Sequence, residues 1–234
     1  MKLNRIIEKL GIEPITKESF RIFLGSLKTM LRCSAEKNLE SLMTWDAPVL
    51  PNLKKLDSDE IRFVESENLK INISIEECQI QVQKLIPQET RKKFAAYYTI
   101  QQGVYFMAAV AQEYLKRFRG GKIVLAGTHN GGDQKIGVEK IQRIWGIEPL
   151  PLSALVAYAS LLHATNGRKD AIIVITGDAF KEIPEVSSPF IQSELFKADI
   201  ILTNPPFTRR KYLEKSYRDY LLKIINGLWY EEYI

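Results

Sequence analysis

Four short apolar runs constrain this chain more than any other feature: Lys122–Ala126 (KIVLA), Arg143–Ile147 (RIWGI), Ala171–Ile175 (AIIVI) and Asp199–Thr203 (DIILT). Each is long enough for a buried strand and too short for a buried helix. They alternate with helical stretches, clearest at Leu152–Leu162, instead of pairing through tight hairpins. Such alternation predicts βαβ units and a parallel sheet with helices on both faces. Ligands of such sheets bind outside the carboxyl ends of the strands. The residues that follow each run are therefore the first place to look for chemistry.

The first ninety residues read differently. Phe20, Phe23, Leu24, Leu27 and Leu31 recur at helical spacing and predict one apolar face over three turns. Ser74 with Glu77 fits a capping box, leading into Cys78, Val82 and Leu85 on one face, with Cys78 a core position. A helix is also expected from Gln101 to Phe118 and another over 211–230. The expected organisation is a helical N-terminal region over 1–90, followed by an α/β domain over 91–234 with about four parallel strands and flanking helices.

The 234 residues are 45% hydrophobic, enough for a packed core, which excludes global disorder. No stretch approaches the ~18 consecutive apolar residues of a membrane span, and the start, MKLNRIIEKLGIEP, has no signal-peptide h-region. Cys33 and Cys78, the only cysteines, form neither a disulfide framework nor a CxxC metal motif. A cytoplasmic protein with reduced thiols, no membrane association and no metal site is expected. The net charge of +5 is uneven: residues 36–90 carry −5 and residues 91–234 carry +6. Basic clusters at Lys116–Lys122 and Arg209–Lys223 fit either solvated helix faces or contact with phosphates.

Asn204-Pro205-Pro206-Phe207 follows the fourth run. Two prolines stiffen that loop, and the Asn204 amide oxygen with the Pro205 carbonyl offers two acceptors for the hydrogens of an exocyclic amine. Phe207 supplies a face on which a flipped base can stack. The third run leads into Gly177-Asp178-Ala179-Phe180, where Asp178 either accepts from a ligand's amino group or caps the next turn. Gly146-Ile147-Glu148-Pro149 ends the second run. An acid there either takes ribose hydroxyls or is a solvated loop carboxylate. Tyr97-Tyr98-Thr99 precedes the Gln101 helix, with Thr99 a candidate N-cap.

In this order the motifs resemble the N6-adenine DNA methyltransferase family, over roughly Arg91 to Arg210. The resemblance implies a partial Rossmann-like methyltransferase sheet in the order 3-2-1-4 and methyl transfer from S-adenosylmethionine to the N6 amine of adenine in DNA, in a restriction-modification or defence setting. It also implies site roles. Asn204, Pro205, Pro206 and Phe207 would hold the target base. Glu148 would bind the cofactor ribose, Asp178 and Phe180 its adenine, and Tyr98 and Thr99 would line the pocket near the methionine end. No metal is implied.

Three positions depart from the family pattern. Ile100 stands where the tyrosine motif continues with proline. After the first run, Ala126-Gly127-Thr128-His129-Asn130-Gly131-Gly132-Asp133 replaces Asp-Pro-x-x-Gly-x-Gly, so the acid follows the glycines. The chain ends at Ile234, before the family's remaining strands, so a second polypeptide or homo-oligomer is expected to complete the sheet. These departures keep two other functions in view. One is a catalytically inactive subunit that binds DNA or a partner chain. The other is a methyltransferase acting on RNA or on protein glutamine.

Overall fold

In a computed structural model of the protein, described over residues 2–45, 51–85, 106–107, 109–111, 113, 121–126, 141–177, 200–203 and 215–231, local capping chemistry sets the helix ends. Helix α1 (Lys2–Lys9) leads through a turn into α2 (Lys17–Ser34), where Thr16 is extended and accepts the Ser19 N–H at 3.0 Å. α2 stops where Ala35 turns left-handed, at φ 56°. Asn38 with Ser41 and Asp57 with Glu60 form reciprocal capping boxes at the starts of α3 (Leu39–Met43) and α4 (Ser58–Lys70). Ser74 accepts the Glu77 N–H at 3.1 Å ahead of α5 (Ile75–Leu85). The Glu77 carboxylate is taken by Arg21 at 3.0 Å, so the box expected there is used as a cap and an interhelical ion pair.

The apolar runs form four parallel strands: β1 (Gly121–Ala126), β2 (Ile141–Glu148), β3 (Ile172–Thr176) and β4 (Ile200–Thr203). The sheet order is β3-β2-β1-β4. Helix α6 (Pro151–Ala164) crosses from β2 to β3. From Ile144 to Glu148 every β2 residue is buried, as an inner strand covered on both faces requires. Only alternate residues of β3, Ile172 and Val174, are buried, the pattern of an edge strand with one covered face. On β4, Ile201 is 65% exposed. The protein is therefore mixed α/β.

The chain divides into two compact units. The described residues of Met1–Leu85 and of Tyr98–Asn204 belong to one compact unit, and those of Ile86–Tyr97 and Pro205–Ile234 to a second. The physical reason is α6. Its residues Leu152 to Leu162 are all buried, so one side lies on β2 and β3 and the other is covered by α2 and α5. An all-round apolar helix cannot face water on either side. α2 is likewise buried on more than the one face expected, with Ile22, Gly25, Ser26 and Met30 added to Phe20, Phe23, Leu24 and Leu27. Two polar ties reinforce the junction. Gln79 donates to Ser160 Oγ at 2.8 Å, while Lys169 lies 3.5 Å from Glu36 and 4.6 Å over the Trp45 ring.

In the region expected to be helical from Gln101 to Phe118, the described positions are helical and Ala111 is buried. In the second unit the described residues form α7 (Lys215–Glu231), with Tyr217 and Tyr220 stacked at 6.4 Å. No helix among the described residues is long and apolar enough to cross a membrane.

Candidate functional site

The register of the sheet brings the strand ends to one edge. Ala126 at the end of β1 is level with Ile147 of β2 on one side and with Thr203 of β4 on the other, and Glu148 is level with Thr176. The last residues of the four strands, Ala126, Glu148, Thr176 and Thr203, therefore lie along one edge of the sheet. Parallel pairing compels this: four strands running one way put four carboxyl ends together.

Of the nine residues expected to form the site, Glu148 is the one the structure places. Asn204, Pro205, Pro206 and Phe207 lie outside the described residues, as do Tyr98, Thr99, Asp178 and Phe180 and the loop histidine His129. Two of these groups have described neighbours. Thr203 precedes Asn204 at the end of β4, and Gly177 precedes Asp178 at the end of β3.

Glu148 is wholly buried, which corrects its reading as a solvated loop carboxylate. Burial of a charged carboxylate costs several kcal/mol unless hydrogen bonds replace water. Here the Leu150 N–H donates to Oε1 at 3.2 Å. That amide lies just ahead of α6, whose N-cap position makes no side-chain capping bond and whose first turn contains Pro151. The carboxylate thus sits against the positive end of the helix, a favourable place for an anion. The Glu148 carbonyl accepts the Gly177 N–H at 3.0 Å, which carries the β2–β3 ladder one step past the strand and fixes where Gly177 leaves the sheet. The acid is thereby held rigidly at the carboxyl edge, between the departure points of two motif-bearing segments.

Two further polar groups near this edge carry no sequence signal. Trp145 Nε1 and Ser153 Oγ are buried and have no hydrogen-bond partner among the described residues. Trp145 lies on the face of β2 opposite Ile144, which packs with the α6 core; Ser153 is in the first turn of α6. A tryptophan inside an apolar run looks like core to any hydropathy pattern, so its unpaired N–H becomes visible only in three dimensions.

In comparisons with known proteins, no protein-family model, no curated protein and no solved structure matches this chain.

Proposed function

We propose that this chain is a methyltransferase-type domain of the N6-adenine class, taking S-adenosylmethionine as cofactor and adenine in DNA as substrate. The observation that carries the reading is the sheet. Its order, β3-β2-β1-β4, is the one this class implies, and a buried acid ends β2 where the cofactor ribose would lie. Glu148 is the ribose-side group in this reading. Asn204 and the Pro205 carbonyl accept from the target amine, Pro206 stiffens their loop and Phe207 stacks on the base. Asp178 and Phe180 receive the cofactor adenine, with Tyr98 and Thr99 beside the methionine end. Catalysis then comes from alignment of amine and methyl and from polarisation of the amine by fixed acceptors. The protein acts in the cytoplasm, within restriction-modification or defence, and the exposed Ile201 of β4 fits the approach of a second polypeptide or a second copy.

A second reading is favoured by the sequence after β1. Gly127–Asp133 has its acid after the glycines, which removes the group that would meet the cofactor's amine. A non-catalytic subunit binding DNA or a partner chain fits that change.

One experiment separates these readings: labelled methyl transfer from S-adenosylmethionine to duplex DNA, RNA and protein in parallel, with calorimetric titration of the cofactor. The proposal expects label in DNA adenine, weak cofactor binding by the chain alone, and loss of transfer in Asn204→Ala with an unchanged melting curve. Label only on protein glutamine or RNA would replace the DNA assignment. No label on any substrate, with retained DNA binding, would favour the non-catalytic subunit.

A further inference from the structure

Three titratable side chains from three helices meet where α2, α5 and α6 pack together. Cys33 comes from the last turn of α2, Glu76 from the first turn of α5 and His163 from the last turn of α6. The Cys33 sulfur lies 3.7 Å from His163 Nδ1, within hydrogen-bonding reach of a thiol. The other ring nitrogen, Nε2, lies 3.9 Å from Glu76 Oε1, an electrostatic contact longer than a hydrogen bond. The imidazole therefore has a thiol at one nitrogen and a carboxylate at the other. With the proton on Nε2 facing Glu76, the Nδ1 lone pair faces the thiol.

The junction is fixed by the backbone beneath it. Gly167 follows α6 at φ +83°, and a Cβ there would collide with the Cys33 carbonyl oxygen. The turn after α6 therefore lies directly on the end of α2, which holds His163 at its distance from Cys33. The side chains of His163 and Glu76 are 39% and 55% exposed, and Cys33 is half-buried at the margin of the core. Arg32 of α2 adds positive charge near Glu76. The Glu76 carboxyl is held below its ordinary range chiefly by its own backbone N–H, with Ser74, His163 and Arg32 also lowering it against desolvation. Among the described residues no group of three His, Cys, Asp or Glu side chains could hold a metal ion.

We propose that Cys33 is a reactive thiol and a site of thiol–disulfide exchange with small-molecule disulfides, with His163 as its base and Glu76 as the group that positions the imidazole. His163 Nδ1 takes the thiol proton, and the Cys33 sulfur attacks one sulfur of the external disulfide. The new S–S bond forms as the old one breaks, and the departing thiolate receives the proton from Nδ1. One thiol and one disulfide enter, one mixed disulfide and one thiol leave, and no other oxidant is needed. Cys78, the second thiol of the chain, is the internal contrast. It is fully buried, and desolvation pushes it up to about 12, the environment of an inert structural thiol. The proposal stands whether or not the chain transfers methyl groups.

The test uses the full chain with oxidised glutathione and with a chromogenic aromatic disulfide. Native protein and Cys78→Ser take up one glutathionyl group by intact mass, and Cys33→Ser takes up none. His163→Gln lowers the exchange rate at pH 7 about tenfold or more, as loss of a base does. At about pH 9.5, where an ordinary thiol ionises unaided, the same variant reacts at the native rate. A purely structural role for His163 would open the junction and change both rates together. Glu76→Gln, at an exposed position, gives a smaller loss at pH 7 and keeps the test sound if His163→Gln melts early. Equal rates for native and His163→Gln protein at pH 7, labelling of Cys33→Ser, or no labelling of the native chain would overturn the proposal.

Discussion

Glu60 and Glu148 are both buried carboxylates, and the chain holds each in its own way. Lys9 Nζ lies 2.7 and 2.6 Å from the two oxygens of Glu60, and the Asp57 N–H donates to Oε2 at 3.0 Å. The Glu60 carboxyl is kept below its ordinary range first by Lys9 and next by the Asp57 amide, against desolvation that raises it. A depressed value in the folded state means a contribution present above the unfolded range, about 4.3, and lost as pH falls through the folded value. Lys9→Met should therefore lower the melting temperature at pH 7 by several degrees. The gap from native protein should narrow as pH falls below about 4. Melting curves across pH 3–7 check this, and a constant gap would contradict it. The spacing of Asp57 and Glu60 signals a cap, but Lys9 is 51 residues away from Glu60 and no local pattern pairs them. Glu148 is held by a backbone amide two residues on, so its partner was near in sequence while its burial was not legible there.

Among the elements, α5 and the residues just ahead of it pack tightly on α2 at Gly25. A Cβ at that position would meet Ile73 Cγ2 and, at 2.7 Å, the Cys78 sulfur. Alanine would gain about 1 kcal/mol of helix propensity, while forcing a methyl into a filled core costs about 1–3 kcal/mol. The clash wins, because Cys78 and Ile73 are both buried and have little room to yield. Gly25→Ala should be destabilising by up to about 2 kcal/mol in urea unfolding, and a neutral or stabilised variant would show that α5 moves aside. The four strands were legible to within two residues because short apolar runs have few alternatives. α6 was legible as a helix because its apolar stretch is too long for a strand. The breadth of the buried surface on α2 was not, since a polar or small residue such as Ser26 reads as an outward position until its hydroxyl is seen donating to the Ile22 carbonyl at 3.0 Å.

At the scale of the molecule, the helical front and the sheet region share one core. Leu24, Leu27, Cys78 and Val82 belong to the same buried cluster as Leu155, Leu161, Ile172 and Val174. Two bodies with a common core should unfold together. Trp45 reports on the front and Trp145 on β2, so variants keeping one of them, with Trp229 also replaced, should show coincident denaturation midpoints. Midpoints separated beyond error would mean that the front detaches first. The alternation of strand and helix, the parallel sense of the sheet and the place of the candidate motifs after the strands could be read along the chain. These are properties of period and order along the chain. Packing in three dimensions is what brings the front helices over α6, encloses Glu148 and sets Cys33 against His163 across 130 residues. Each of those depends on which surfaces pack together, and an apolar helix face or a lone polar residue does not specify its partner.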